Sequence, residues 1–303
     1  MKIIYFGTPE FAVKPLENLY KEDQIEILAV VTQPDKPQGR KQILTASPVK
    51  ECANLLGIKV IQPNNKKELV EELKKIEKVD FFVVIAYGMI LSKEILEMPK
   101  LGPINIHASL LPKYRGASPI QESLLHGDTE TGVSIMAMDE TMDHGNVYLI
   151  KRVTIDENDS LESLTAKLSL VSAEILPATL KDIKNGIFTP IPQKHEKATF
   201  CHKIEKEDGK IDFNKSAKEI KNMLRAFTPW PGIFTDFNGK KLKIIETTIS
   251  NDQLEPGKFK IDGKTLKIGT VKGSLLPLKL QIEGKSIMDV SAFLNGYKSH
   301  MPL

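Results

Sequence analysis

The sequence predicts an α/β protein: a doubly wound, mostly parallel sheet, followed by a linker and a small β-barrel domain. Three observations carry this. Short apolar runs alternate with amphipathic helical stretches through the first half of the chain. One of those runs, Phe81-Phe-Val-Val-Ile-Ala86, is continuously apolar, as strands buried on both faces of a parallel sheet are. From Ile211 the pattern changes to short strands separated by Asn238-Gly239 and Asp262-Gly263, both strong hairpin signals.

The elements follow in order. Residues 2–6 read as a first strand, and Gly7-Thr-Pro9 turns the chain into a helix over 10–21 with Phe11, Leu16 and Leu19 on one side. A second strand covers 25–32, and 33–48 is a long loop rich in Pro, Gly and Lys. A helix over 49–56 closes at Gly57, a short strand covers 59–62, a helix 67–78, an apolar strand 79–87 and a short helix 92–98. In Ile104-Asn-Ile-His107 apolar and polar residues alternate, a strand with Asn105 and His107 on one face. A helix near 118–125, strands at 132–138 and 147–153, and a helix over 161–185 stopped by Gly186 complete this part. Residues 187–210 lose periodicity and carry Pro190 and Pro192, which reads as a linker. Ser216 with Glu219 three residues on has capping-box spacing and opens a helix over 216–226. Strands at 233–237, 241–245, 259–261, 265–271 and 276–282 then predict a small closed barrel of OB-like form. The implied boundaries are 1–187 for the first domain, 188–206 for the linker and 207–303 for the second.

The chain's 303 residues suffice for two domains, and 41% hydrophobic with 27% charged residues is ordinary for a soluble protein. Cys52 and Cys201 lie far apart and suggest no disulfide framework, so a reducing cytoplasm is expected. Cys52, in a helical pattern, reads as a small buried hydrophobe. The apolar run at the N-terminus is too short for a signal peptide, and none is long enough to span a membrane. Gly7-Thr-Pro-Glu-Phe11 is not G-x-G-x-x-G, so a dinucleotide cofactor is not supported, and no spaced set of His, Cys and acids suggests a metal. From Pro190 onward 20 Lys and Arg stand against 13 Asp and Glu. That basic third suits a polyanionic partner, with a solvated lysine-rich surface as the alternative.

Asn105 and His107 at a strand end, with Asp143 further on, combine an amide, an imidazole and a carboxylate. Such a set polarises a carbonyl and moves a proton; the alternative is a hydrogen-bonded structural histidine. Ser109-Leu110-Leu111-Pro112 puts two large apolar residues in a loop, where they either pack beneath it or line a pocket for a flat organic ligand. Trp230, between Pro229 and Pro231, reads as core or interdomain packing in preference to base stacking.

Several segments together resemble one family over essentially the full length. They are Gly7-Thr-Pro-Glu-Phe11, Thr32-Gln-Pro-Asp35, Gly39-Arg40, Ser47-Pro-Val-Lys50, Ala86-Tyr-Gly88, Asn105-Ile-His107, Ser109-Leu-Leu-Pro112, Arg115-Gly-Ala117, Thr131-Gly-Val133 and Arg225-Ala-Phe-Thr-Pro-Trp-Pro231. The chain resembles the methionyl-tRNA formyltransferases. Asn-x-His with Ser-Leu-Leu-Pro is similar to the wider group that uses 10-formyltetrahydrofolate. The resemblance implies a Rossmann-like domain, a linker and an OB-like domain. It also implies transfer of the formyl group of 10-formyltetrahydrofolate to the α-amino group of methionine on initiator tRNA.

In that reaction, Asn105 and His107 would donate to the carbonyl oxygen, and Asp143 would orient His107 or move the amine proton. Ser109, Leu110, Leu111 and Pro112 would contact the folate. The loop over 33–50, with Arg40 at its tip and Lys36 and Lys41 beside it, would meet the tRNA acceptor end. Lys240, Lys241 and Lys243 would add diffuse phosphate contacts. The family's Leu-Asp-Thr-Gly-Asp is here Met142-Asp-His-Gly-Asn146, and a protonated His144 would lower the pKa of Asp143. A cytoplasmic monomer without a metal is expected. The competing readings are a formyltransferase for a small amine or amino sugar, and an RNA-binding module without chemistry.

Overall fold

The computed structural model describes residues 1–39 and 42–297 and divides into two compact units. The first comprises Met1–Pro119, Glu130–Thr154 and Leu164–Cys201; the second comprises Ile120–Thr129, Ile155–Ser163 and the chain from His202 onward. Among the described residues no helix is long and apolar enough to cross a membrane.

The first unit is built on a seven-stranded sheet. Its strands are β1 (Lys2–Gly7), β2 (Glu26–Val31), β5 (Val60–Ile61), β6 (Phe81–Ile85), β7 (Pro103–His107), β9 (Glu130–Ala137) and β10 (Val147–Thr154). Between them lie two short pairs: β3 (Lys36–Gln38) with β4 (Ile43–Thr45), and β8 (Arg115–Gly116) with β11 (Phe200–Cys201). The sheet order is β10-β9-β7-β6-β1-β2-β5, parallel from β5 to β7 and antiparallel at β9 and β10.

All five residues of β6 are buried, as its unbroken apolar run requires of a central strand. The helices of this unit are α1 (Val13–Tyr20), α2 (Pro48–Leu55), α3 (Lys66–Lys74), α4 (Lys93–Leu96) and, from Leu164 on, α6 (Leu161–Lys184), whereas α5 (Pro119–Leu125) belongs from Ile120 on to the second unit. Ser47 caps α2 by accepting the Lys50 N–H, and Asn65 caps α3 by accepting that of Glu68. Phe6, Phe82, Tyr87 and Leu69 form the centre of one core cluster, with Phe6 and Tyr87 ring centroids 5.4 Å apart. The mostly parallel α/β fold expected from the sequence is therefore present.

Two local differences matter for function. The stretch over 33–48, expected as a loop, contains the β3–β4 hairpin, paired Lys36 to Thr45 and Pro37 to Leu44. The stretch expected as a linker is tied to the first unit. Ile191 exchanges both backbone hydrogen bonds with Val147, and β11 pairs with β8.

The second unit carries α7 (Ala217–Phe227), with the capping box of Ser216 and Glu219 formed as its spacing predicts. Its antiparallel sheet runs β12 (Ile233–Phe237), β13 (Lys240–Ser250), β16 (Ser274–Ile282), β15 (Thr265–Gly269), β14 (Phe259–Asp262), with β17 (Met288–Asp289) added to β16. Among the described residues no pairing joins β12 to β14, so the sheet is open where a closed barrel was expected. A final helix, α8 (Val290–Tyr297), buries Phe293 against Phe237.

Candidate active site

Three segments of the first unit meet at one carboxylate. β7 supplies Asn105 and His107, two residues apart and hence on one face of the strand. The β9–β10 connection folds over β7 and supplies Asp143, and β8 supplies the Gly116 N–H. Asn105 Nδ2 donates to Asp143 Oδ1 at 3.2 Å, and the Gly116 N–H donates to Oδ2 at 2.8 Å. His107 Nδ1 lies 3.6 Å from the same Oδ2. The side chains of His107 and Asp143 are 6% and 11% exposed.

The tautomer of His107 follows from its other nitrogen. Nε2 lies 2.8 Å from the Tyr114 carbonyl oxygen. A carbonyl can only accept, so Nε2 carries the proton. Nδ1 then faces the Asp143 carboxylate, with room for one proton between them. The Asn105 amide must turn its NH2 toward Asp143, since only that end donates; its second hydrogen is not used by Asp143. Asn105 and His107 thus converge as expected. His107, however, has a protein partner on each nitrogen and is a link between Tyr114 and Asp143, where the sequence suggested an open donor.

Asp143 sits at φ +50°, a left-handed conformation that costs a non-glycine residue roughly 1–2 kcal/mol. Gln193 holds this turn. Its Nε2 donates to the carbonyls of Asp143 at 3.0 Å and Gly145 at 2.7 Å. Its Oε1 accepts from Arg115 Nε at 3.1 Å and from the Arg115 terminal guanidinium NH2 at 2.7 Å. The same terminal nitrogen donates to His195 Nδ1 at 2.8 Å. The His195 ring stacks on His144, centroids 4.1 Å apart and planes 9° from parallel, and His144 Nδ1 pairs with Asp139 at 2.8 Å. His144 therefore engages Asp139 and His195, not the carboxylate of its neighbour Asp143.

Residues 1–180 match the family model described as Formyl transferase, and residues 203–298 that of its C-terminal domain. The chain belongs to the formyl transferase family. It is 46% identical over 306 residues to the methionyl-tRNA formyltransferase of Caldicellulosiruptor saccharolyticus, covering 98% of this chain and 97% of the relative. It is 44% identical over 298 residues to that of Thermodesulfovibrio yellowstonii, covering 98% and 96%. Among solved structures, the N-formyltransferase of Helicobacter canadensis, crystallised with folinic acid and dTDP-3-aminofucose, shares the fold at a TM-score of 0.68. That alignment covers 91% of this chain and 98% of the other at 23% identity.

In this formyl transferase the loop after β7 is packed inward. Leu111 is buried with Met136 and Val147, the Leu110 side chain lies over Gly132, and Ser109 Oγ donates to the Lys113 carbonyl at 2.5 Å. Packing beneath the loop is thus realised for Leu111, while Leu110 and Pro112 stay half-buried. At the C-terminal end of β6, Tyr87 is buried and its hydroxyl has no hydrogen-bond partner among the described residues; burial pushes the phenol up.

The β3–β4 hairpin stands on a polar base. Lys50 Nζ pairs with Asp35 at 2.7 Å, and Gln62 Nε2 donates to Asp35 at 2.7 Å and to the Gln33 carbonyl at 2.9 Å. These contacts hold Asp35 below the usual carboxylate range, the Lys50 hydrogen bond first and Gln62 second. Lys36 is exposed. Arg40 and Lys41 lie outside the described residues.

In the second unit Lys240 is exposed, Lys241 lies 4.0 Å from the Phe234 ring centroid and pairs with Glu207, and Lys243 donates to the Pro231 carbonyl. Trp230 is 55% exposed, which overturns its reading as a core residue. Sequence reasoning missed Gln193, His195 and the backbone of Tyr114 and Gly116 as parts of the site. Arg115 and Gly116 had appeared only inside a motif, and nothing in the pattern around Gln193 marked it.

Proposed function

We propose that the chain transfers a formyl group from 10-formyltetrahydrofolate to the α-amino group of methionine esterified to initiator tRNA. The observation that carries this is the likeness to methionyl-tRNA formyltransferases at 44–46% identity along nearly the whole chain. The sugar-amine reading is supported by solved structures of sugar N-formyltransferases that are 19–24% identical, a likeness of fold alone. The protein acts in the cytoplasm as a monomer.

The amine nitrogen forms a bond to the formyl carbon, and the bond from that carbon to N10 of the folate breaks. The amine loses a proton, and the leaving nitrogen gains one. Asn105 offers its second N–H to the carbonyl oxygen as negative charge gathers there; one such donor is worth about 3 kcal/mol at the transition state. His107 Nδ1 and the Asp143 carboxylate, 3.6 Å apart, are placed to receive the amine proton between them. Ser109 to Pro112 form a rigid wall beside the donor, contacting it through the half-buried Leu110 and Pro112. The β3–β4 hairpin, with Lys36, Arg40 and Lys41, meets the acceptor end, and lysines such as Lys240 add salt-sensitive attraction.

Formylation of methionyl initiator tRNA, comparing wild type with His107→Ala, tests this reading. Wild-type activity that collapses in the variant is expected. Formyl transfer to amino sugars with none to tRNA would overturn it. Arg40→Ala is expected to weaken use of tRNA while leaving folate binding unchanged.

A further inference from the structure

Arg115 is 4% exposed, yet among the described residues no carboxylate lies within ion-pair distance of it. Its partners are neutral: the Gln193 carbonyl oxygen, held by two nitrogens, and His195 Nδ1. A buried cation without a counter-charge is a costly way to gain stability. What it provides is orientation. The two-nitrogen grip leaves the Gln193 amide one way to face, with its NH2 toward the Asp143 and Gly145 carbonyls. Those carbonyls flank the left-handed turn that aims the Asp143 carboxylate at Asn105, Gly116 and His107. Gln193 is itself 8% exposed, so water does not readily replace it.

We infer that Gln193, locked by Arg115, is a positioning residue for formyl transfer: it holds Asp143 in a strained turn without touching the reacting atoms. This rests on the role proposed above for Asp143. A carboxylate held by three groups loses function when its backbone shifts by about 1 Å, since misplacement of that size costs on the order of 100-fold.

The test uses full-length enzyme with Gln193→Leu and Gln193→Glu, each made also in an Asp143→Ala background. Gln193→Glu keeps the shape and the Arg115 contact but, when ionised, loses both donated bonds. Both single variants should lower kcat about 10–100-fold with KM for tRNA and folate within twofold. In the Asp143→Ala background neither should lower activity further, because the effect passes through Asp143. Activity of Gln193→Glu relative to wild type should rise as pH falls, when the new carboxyl gains a proton to donate.

A readout independent of substrate accompanies these. Exchange of the Gly116 amide, bonded to Asp143, should accelerate about tenfold or more in either variant, while that of Arg115, bonded to Thr199, should not. Full activity in the single variants, an equal loss in the Asp143→Ala background, or unchanged Gly116 exchange would each overturn the inference. If Gln193→Leu fails to fold, the isosteric Gln193→Glu decides. Inactivity of wild type on tRNA would fail the functional reading alone, and the exchange measurement would still decide this one.

Discussion

Gly116→Ala should damage stability and activity together. Gly116 adopts φ +122°, outside the regions open to side-chain-bearing residues. A Cβ there would lie 3.2 Å from the Cys201 carbonyl carbon and 3.3 Å from its Sγ, and closer still to the carbonyl oxygen. That carbonyl belongs to β11, paired in register with β8, so it cannot rotate away without breaking the pairing. The conformational part costs roughly 1–2 kcal/mol. Forcing the strands apart costs about 1–3 kcal/mol more. The sum, roughly 2–5 kcal/mol, corresponds to a fall in Tm on the order of 10 °C.

Activity should fall as well, because the displaced N–H is the one bonded to the Asp143 carboxylate at 2.8 Å. A hydrogen bond to a charged group is worth about 1.5–3 kcal/mol, or roughly 10- to 100-fold in rate. Gly186→Ala supplies the comparison. Its φ is +71° and, among the described residues, nothing lies within 4 Å of where a Cβ would sit, so only the conformational cost of roughly 1–2 kcal/mol remains and activity stays intact. Thermal unfolding and single-turnover formylation of both variants decide the matter. If Gly116→Ala lost no more than Gly186→Ala on either measure, the pairing of β8 with β11 would not be what places Gly116 against Asp143.

Two further outcomes follow from titratable groups. Asp35 has its folded-state pKa depressed by Lys50 and then Gln62, so its stabilising contribution is complete above about pH 4 and lost as pH falls through the folded value. Asp35→Asn should flatten the acid limb of stability in urea unfolding across that range, and an unaltered slope would contradict the clamp at the hairpin base. Cys52 is pushed up to about 11 by burial and then by Glu17. At pH 8 iodoacetamide should therefore label it far more slowly in the native protein than after denaturation, and equal rates by peptide mass spectrometry would place the thiol elsewhere.

The parts of this molecule legible in its sequence are those in which side chains repeat with the backbone. The apolar run of β6 and the alternation through Asn105 and His107 announce strands, and Ser216 with Glu219 announces a helix start. The β3–β4 hairpin stayed hidden because Pro37 and Gly39 carry loop signals and each strand is only three residues long. β13 runs through Glu246 to Ser250, well beyond the expected stretch, because two register shifts against β16 break its alternation. Leu111 had two placements open to it, and Met136 and Val147 decided between them. Gln193 was illegible for a different reason: both carbonyls it serves are backbone, so no partner residue type betrays it.

The same physics bears on where the catalytic unit ends. Loss of periodicity over 187–210 led to a linker over 188–206, yet periodicity reports buried faces and not backbone pairing. The Ile191 N–H donates to the Val147 carbonyl at 2.8 Å, and the Thr199 N–H to the Pro112 carbonyl at 3.3 Å. The Arg115 N–H in turn donates to the Thr199 carbonyl at 2.9 Å. A tether would exchange all its amides freely, whereas amides bonded to a sheet edge and to the loop after β7 open only when those elements do. Hydrogen exchange on the intact protein should therefore show Ile191 and Thr199 protected to within about tenfold of Val147 and Arg115, with neighbours such as Lys194 exchanging faster. Uniform fast exchange across 188–201 would refute the attachment, and with it the view that Gln193 reaches Asp143 from a fixed support.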